Sequence, residues 1–265
     1  MRRGLFIPIV AVLGFVFLYA PIVSLIVFSF NESQLVTVWT GFSTKWYGEL
    51  FRDPQILGAA WLSLQIAATS ATIATILGTL AGIALTRLGH FRGRTALTGM
   101  ASAPLVMPEV ITGLSLLLLF VSMEAAFGWP AGRGFTTIVI AHTTFCMAYV
   151  TVVVRSRLVD MDRSLDEAAL DLGATPLRVF FDITLPIISP ALISGWLLAF
   201  TLSLDDLVIA SFVSGPGAST LPMVIFSKIR LGVSPDVNAL ATIIIAIVAL
   251  GVAGATLFGM RRAKN

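Results

Sequence analysis

Residues 57–86 read LGAAWLSLQIAATSATIATILGTLAGIALT, a stretch without aspartate, glutamate, lysine or arginine. An α-helix needs about 20 residues to cross the hydrocarbon core of a bilayer, so this stretch is long enough to span a membrane. Backbone groups in lipid must be hydrogen-bonded within their own segment, which favours a helix. Strands of a membrane barrel would alternate apolar with polar residues, and this stretch does not alternate.

Five further apolar runs accompany this stretch. The chain is 57% hydrophobic and 12% charged, with a mean hydropathy of +0.95, whereas soluble domains are roughly 45–50% apolar and about 25% charged. We therefore predict an all-α, polytopic membrane protein with about six transmembrane helices, forming a single domain over residues 1–265. The six runs lie near residues 5–30, 57–86, 96–122, 135–156, 187–211 and 239–259.

Basic residues concentrate at one set of helix ends. Of the 17 lysines and arginines, twelve fall on one side of the predicted spans and five on the other. Loops rich in these residues remain in the cytoplasm. The sequence therefore predicts a bacterial inner-membrane protein with both termini cytoplasmic. The cytoplasmic set is Arg2, Arg3, Arg87, Arg92, Arg94, Arg155, Arg157, Arg163, Arg178, Arg261, Arg262 and Lys264.

The residue inventory argues against several other classes of protein. The basic residues form no single face, so we expect no nucleic-acid partner. One cysteine, Cys146, provides neither a disulfide nor a metal site. None of the three lysines follows glycine or precedes serine or threonine, so the chain lacks the phosphate-binding G-x-x-x-x-G-K-[ST] loop. An intramembrane enzyme would need a nucleophile with a base, or a metal cluster, and the sequence suggests neither; we predict no catalytic residue, metal or cofactor.

The longest predicted cytoplasmic connection, about residues 157–186, has a readable local pattern. Ser164 and Glu167 fit a capping box, with Ser164 as the N-cap and Glu167 at the third helical position. Gly173 suits the left-handed conformation that ends a helix. Thr175 and Pro176 then fit the cap and first position of a second helix, which we expect to end before Pro186.

This predicted helix–turn–helix has two interpretations. It could simply link two spans, with Glu167 acting only as a capping partner. Alternatively it is a docking element, because Ala168 and Ala169 are small enough to let a groove of another protein approach closely.

The same residues resemble the signature of permease subunits of binding-protein-dependent ABC importers. That pattern is E-A-A, three residues, G, nine residues, I, one residue and L-P. The chain matches it with Glu167, Ala168, Ala169, Gly173, Ile183, Leu185 and Pro186. The resemblance extends over nearly the whole chain and is closest to polyamine permeases, as in Tyr19–Pro21, Ala103–Glu109 and Gly195–Pro222.

The resemblance implies a type I ABC importer permease fold and a set of partners. In the family, the loop forms coupling helices that sit in a cleft of an ATPase subunit. A second homologous permease, two copies of the ATP-binding subunit and a periplasmic substrate-binding protein complete the importer. ATP and magnesium would bind the partner ATPase, and its closure would drive alternating access.

Three acids fall within predicted spans, where charge is costly and is a functional candidate by default. Glu109 lies about 13 residues, roughly 20 Å, into span three, near mid-membrane. Pro104 and Pro108 free backbone carbonyls beside it. Asp205 and Asp206 lie near the outer end of span five and point about 100° apart on a helix. If one faces the pathway, the other should face a neighbouring helix.

Aromatic residues and His142 are weaker candidates. Trp46 could bind a cation through its ring face, although packing or a place in the interfacial aromatic belt explains it more readily, as it does Trp61 and Trp196. We interpret His142 as a hydrogen-bonded packing residue rather than a ligand.

The acids favour a cationic cargo. Spans three and five carry carboxylates and no interior basic residue, whereas an anion pathway would use arginine, lysine or helix N-termini. A linear diamine such as putrescine fits several acids along a path. The alternatives are the same class of importer with ferric iron, thiamine, an amino acid or a sugar as cargo, or an ATP-independent secondary transporter or channel.

Overall fold

The computed structural model describes residues 6–35, 38–231 and 235–262. Over these ranges the chain is helical, and its only strand-like pairing is one isolated bridge between Asn31 and Phe42. The helices are α1 (Phe6–Phe28), α2 (Lys45–Leu50), α3 (Pro54–Arg87), α4 (Arg94–Val106), α5 (Glu109–Phe127), α6 (Phe135–Asp160), α7 (Ser164–Asp171), α8 (Pro176–Val179), α9 (Leu185–Asp205), α10 (Val208–Val213), α11 (Leu221–Leu231) and α12 (Pro235–Arg262), with a π-helical turn over Phe180–Thr184.

Five described helical segments are long and apolar enough to cross a membrane. They are Phe6–Phe28, Pro54–Arg87, Glu109–Phe127, Phe135–Asp160 and Pro176–Asp205. The sixth predicted run lies within α12, whose described apolar part is Pro235–Gly251. The all-α, polytopic prediction is confirmed. Arg2, Arg3 and Lys264, which contribute to the predicted orientation, lie outside the described residues, as does Leu5 at the start of the first run.

Span three is not the continuous helix over residues 96–122 that the sequence suggests. It is broken between α4 and α5, where Met107 and Pro108 have extended backbones with ψ of 135° and 136°. Proline disfavours a helical conformation in the residue before it. Pro108 also has no N–H to donate to the carbonyl of Pro104, one turn earlier.

The second helix of the cytoplasmic loop does not end before Pro186 as predicted. It runs from α8 through the π-helical turn into α9, giving one helical span over Pro176–Asp205. The wider turn ends just before Pro186, whose missing N–H would otherwise interrupt regular bonding at that point. Span five therefore begins earlier than residue 187, and it ends at Asp205 rather than 211.

The contacts divide the chain into two compact units, Met1–Gly58 with Val224–Asn265, and Ala59–Met223. In the first unit, α12 packs on α1 and α2. The Lys228 ammonium lies 2.9 Å from Asp53 and 2.7 Å from Asp236. Burial acts to raise the pKa of Asp53, but hydrogen bonds from Lys228 and the Ile56 backbone lower it overall. These contacts hold the starts of α3 and α12.

The second unit is built around α6, which carries more buried side chains than any other described helix of this unit and packs on α9. Gly78 of α3 faces α6 so closely that an added Cβ would lie 2.8 Å from the Val150 side chain. The Ser70 hydroxyl donates to the Val139 carbonyl, 3.3 Å away. Close backbone approach through small residues is a common way to pack membrane helices. This core supports both candidate regions described next.

Candidate functional site

The first turn of α7 is organised differently from the predicted capping box, and that prediction is wrong. The N-cap residue is Arg163 rather than Ser164, and no side chain caps the helix. The Asp162 carboxylate instead accepts the Ser164 backbone N–H at 3.0 Å, as aspartate does in a local turn. This bond lowers the pKa of Asp162. Glu167 is therefore free of the capping role and lies exposed in the first turn.

Gly173 ends α7 as the sequence predicts. Its φ is +86°, in the left-handed region that favours glycine. The Gly173 N–H donates to the Leu170 carbonyl at 2.9 Å, and the Ala174 N–H donates to the Ala169 carbonyl at 3.0 Å. This pair of bonds is a Schellman motif, which satisfies the last carbonyls of the helix.

The turn between α7 and α8 exposes large apolar side chains. Thr175 is the N-cap of α8 and Pro176 its first residue, as predicted, although the threonine side chain makes no capping bond. Leu172 is 91% exposed, and Leu177 and Phe181 are also exposed. These exposed apolar side chains are available for contact with another molecule.

A salt bridge and two hydrogen bonds connect α7 and its N-cap residue to two spans. The Asp166 carboxylate lies 3.2 Å from the Arg87 guanidinium at the end of α3, and it accepts a 3.2 Å hydrogen bond from Thr184 just before α9. The Arg163 guanidinium donates to the Thr86 carbonyl at 2.9 Å. A displacement of α7 would therefore pull on the end of α3 and on the start of α9.

The other residues of the signature lie around this loop. Ala168 is exposed and Ala169 half-buried on α7. Ile183 is half-buried in the π-helical turn, and Leu185 and Pro186 form the first turn of α9. The structure thus places the signature on one helix–turn–helix and the start of the following span.

Glu109 is the first residue of α5 and is exposed beside the break in span three. The C-terminal end of α4 presents carbonyl oxygens, whose partial negative charge adds to that of the carboxylate. The N-terminus of α5, where Glu109 lies, carries a partial positive charge. The depth of this acid in the bilayer remains a prediction, but its place at a helix break is typical of ion and substrate sites in transporters.

A second helix break lies beside the aspartate pair. α9 ends at Asp205, which is exposed, and Asp206 has an extended backbone before α10. The Asp206 side chain is only 6% exposed. Its carboxylate accepts the N–H groups of Ile209 and Ala210 at 3.3 and 2.7 Å. The two neighbouring acids thus face different surroundings.

The two breaks belong to helices that pack directly on each other. An added Cβ at Gly113 of α5 would lie 2.7 Å from the Phe212 ring and 3.3 Å from the Ile209 Cα on α10. Gly113 is one turn after Glu109 and on the same helix face. The contact between α5 and α10 therefore couples the segment that follows Glu109 to the segment that follows Asp206.

His142 contacts both α9 and Asp206, a link that the sequence gave no reason to expect. Its Nε2 lies 3.1 Å from the Asp206 carboxylate and its Nδ1 lies 2.7 Å from the Ser203 hydroxyl. These are the residue types of a hydrolase triad. Ser203 is buried, however, and the Asp206 carboxylate also accepts two N–H groups of α10.

Trp46 lies in the first unit and is buried. Its indole N–H donates to the Asn31 carbonyl at 2.7 Å, and the Lys45 ammonium lies 4.5 Å from its ring centroid. A cation from outside would have to replace Lys45 at that ring face. Its role in a substrate pathway remains a prediction.

Comparisons with known proteins agree on one family. The family model described as "Binding-protein-dependent transport system inner membrane component" matches residues 74–262. The chain is 64% identical over 246 residues to the Putrescine transport system permease protein PotI of Escherichia coli (strain K12), covering 93% of this chain and 87% of that protein. It is 42% identical over 251 residues to the Spermidine/putrescine transport system permease protein PotC of the same strain, covering 95% and 92%.

A solved structure supports the fold independently. The chain matches a subunit of a bacterial ABC transporter involved in the import of the acidic polysaccharide alginate, with a TM-score of 0.71 and 17% identity. The match covers 97% of both chains. At this low identity the likeness shows the fold alone, and it extends to both candidate regions.

Substitution of Gly173 should loosen the end of α7 in a graded way. A residue with a Cβ in the left-handed region costs roughly 1–2 kcal/mol, and asparagine tolerates it best. Hydrogen exchange of a peptide spanning α7 should therefore be faster than in the wild type in all three variants, least so in Gly173→Asn, more so in Gly173→Ala and most in Gly173→Val. Gly99→Ala, at a helical glycine with open space around it, should leave this exchange unchanged. Wild-type exchange in Gly173→Val would contradict the assigned role of the glycine.

Proposed function

The chain belongs to the family of binding-protein-dependent transport system inner membrane components, and we propose that it is the permease subunit of an ATP-driven ABC importer for a polyamine, putrescine first. The observation that carries this proposal is the 64% identity to a putrescine permease over 93% of the chain. The chain is a multi-pass membrane protein, and its relatives are transport permeases rather than enzymes.

The two helix breaks support a cationic cargo. Each break bears an exposed carboxylate, Glu109 in one and Asp205 in the other. A carboxylate about 4 Å from an ammonium gains on the order of 4 kcal/mol at an effective dielectric of 20, which partly offsets lost hydration. A diamine could exchange one such contact for the next. The fold alone does not select this cargo, since an importer of an acidic polysaccharide has the same fold.

The loop around α7 is where we place the energy input. Its exposed apolar turn would dock into a cleft of a partner ATPase, which would bind ATP and magnesium because this chain has no phosphate-binding loop. Closure of two such ATPases would push α7. The contacts from Asp166 to Arg87 and Thr184 would pass that motion to α3 and α9, opening the pathway alternately to either side.

The remaining partners and the orientation follow from the same assignment. A second homologous permease would complete the pathway, and a periplasmic binding protein would deliver the cargo. Both termini would be cytoplasmic, as the twelve-to-five distribution of basic residues favours. The α7–α8 turn would then lie on the side of the membrane where ATP is available.

The decisive experiment purifies the chain with its partner subunits and reconstitutes the complex in lipid. Binding protein loaded with putrescine should stimulate ATP hydrolysis and uptake together. Stimulation only by ferric iron, thiamine, an amino acid or a sugar would replace the cargo and keep the class of importer. Putrescine flux without any ATPase would point instead to a channel or secondary transporter.

Removing the charge of Glu109 should impair transport without impairing assembly. Glu109→Gln keeps the size of the side chain but loses its attraction for an ammonium, so putrescine uptake should fall at least about tenfold. Glu124→Gln is the matched control, because Glu124 is an exposed acid at the other end of α5 that accepts the Gly132 N–H. It should transport normally. Wild-type uptake by Glu109→Gln at equal complex yield would place Glu109 off the pathway.

A further inference from the structure

Asp206 is held by a buried polar network in the second unit. Its side chain is 6% exposed and that of His142 is 2% exposed, and their closest atoms are 3.1 Å apart. Ser203, also buried, lies 2.7 Å from the other imidazole nitrogen. The network joins α6, the end of α9 and the start of α10 at one point.

One tautomer of His142 gives each member of this network a hydrogen-bond partner. With the proton on Nε2, the ring donates to Asp206, and Nδ1 accepts the Ser203 hydroxyl proton. The Asp206 carboxylate then receives three donors: His142 and the N–H groups of Ile209 and Ala210. A buried carboxylate that accepts three hydrogen bonds is well suited to fix a local geometry. It is poorly suited to binding and releasing a passing cation, which would have to displace these donors.

Asp205 differs from Asp206 in its exposure and in its place on the helix. It is exposed, and it is the last residue of α9. Anchoring Asp206 to α6 and α10 fixes the backbone at the break and, through it, the direction of the adjacent Asp205 side chain. The structure thus divides two chemically identical residues into an anchored carboxylate and an available one.

We propose that His142 and Ser203 are positioning residues that hold Asp206 as the structural anchor of the α9–α10 break, so that Asp205 alone presents a carboxylate to the cationic cargo. This inference rests on the proposed function, because it specifies which acid of the pathway meets the cargo. It assigns a role to His142 and Ser203 that their chemistry alone does not indicate.

Neutral and truncated variants of the two aspartates separate an anchor from a ligand. Asp206→Asn removes the charge but keeps an oxygen that, in the place of Oδ2, can accept from both the Ala210 N–H and His142, so that only the longer 3.3 Å bond from Ile209 is lost. Asp206→Ala removes all of these bonds. Uptake of putrescine from its loaded binding protein by the complete reconstituted importer is the measurement.

The expected pattern is specific. Asp206→Asn should keep uptake within about twofold of wild type, whereas Asp206→Ala and Asp205→Asn should each lose at least about tenfold. If Asp206→Asn is as impaired as Asp206→Ala while Asp205→Asn transports normally, Asp206 is the cargo ligand and the inference is overturned. If none of the three carboxylate variants changes uptake, the cation pathway of the proposed function fails instead.

The role of His142 is tested by combining substitutions. His142→Leu should lower uptake in the wild-type background. It should add little in the Asp205→Asn background, because the Asp205 carboxylate, which His142 positions through Asp206, is already absent. A residue that only stabilises the fold would lower uptake further in both backgrounds, and that result would overturn the inference. Ser203→Ala, which removes a single hydroxyl, applies the same test if His142→Leu reduces the yield of complex.

Cys146→Ala provides the matched control. Cys146 is one turn further along α6, is buried, and its thiol lies 3.4 Å from the Ala199 carbonyl on α9. The substitution disturbs the same helix pair without touching Asp206. It should keep wild-type uptake, and a loss equal to that of His142→Leu would show that any disturbance between α6 and α9 suffices.

Discussion

A backbone in lipid must satisfy its own hydrogen bonds, and every interruption of a membrane helix therefore needs a local solution. Among the residues that the structure describes, two such breaks lie between α4 and α5 and between α9 and α10. The first interruption follows from Pro108, which cannot donate a hydrogen bond. At the second, the Asp206 carboxylate accepts N–H groups of the following helix. Each leaves an exposed acid beside it, so helix breaks and candidate cation sites coincide.

The loop around α7 joins these spans to the surface where a partner would bind. Its Schellman turn displays Leu172 outward, while Asp166 fixes the helix to Arg87 and Thr184. The π-helical turn lets α8 continue into α9 despite Pro186. A force applied to the exposed turn therefore has a direct helical route to the break at Asp205. The packing of α5 on α10 extends this route to the segment that begins at Glu109.

Local patterns in the sequence predicted the features that depend on neighbouring residues. The apolar runs predicted the spans, and Gly173, Thr175 and Pro176 lie where helix-end chemistry places them. The predicted capping box is wrong because Asp162, two residues before Ser164, accepts the Ser164 N–H that the Glu167 side chain would have accepted. The prediction of a continuous third span is wrong because an apolar run has the same hydropathy whether or not a proline, here Pro108, breaks its helix. The contacts of His142 with Ser203 and Asp206 join residues 61 and 64 positions apart, and no local pattern indicates such pairs.

The most direct measurement of whether α7 is the point of energy input is a site-specific cross-link in the assembled complex. A cysteine placed at Leu172 in a Cys146→Ala background should cross-link to the ATP-hydrolysing subunit, because that side chain is 91% exposed at the tip of the turn. A cysteine at Ala131, in the exposed loop between α5 and α6, should not. A cross-link from Ala131 but none from Leu172 would place the turn on the wrong side of the membrane and contradict the assignment.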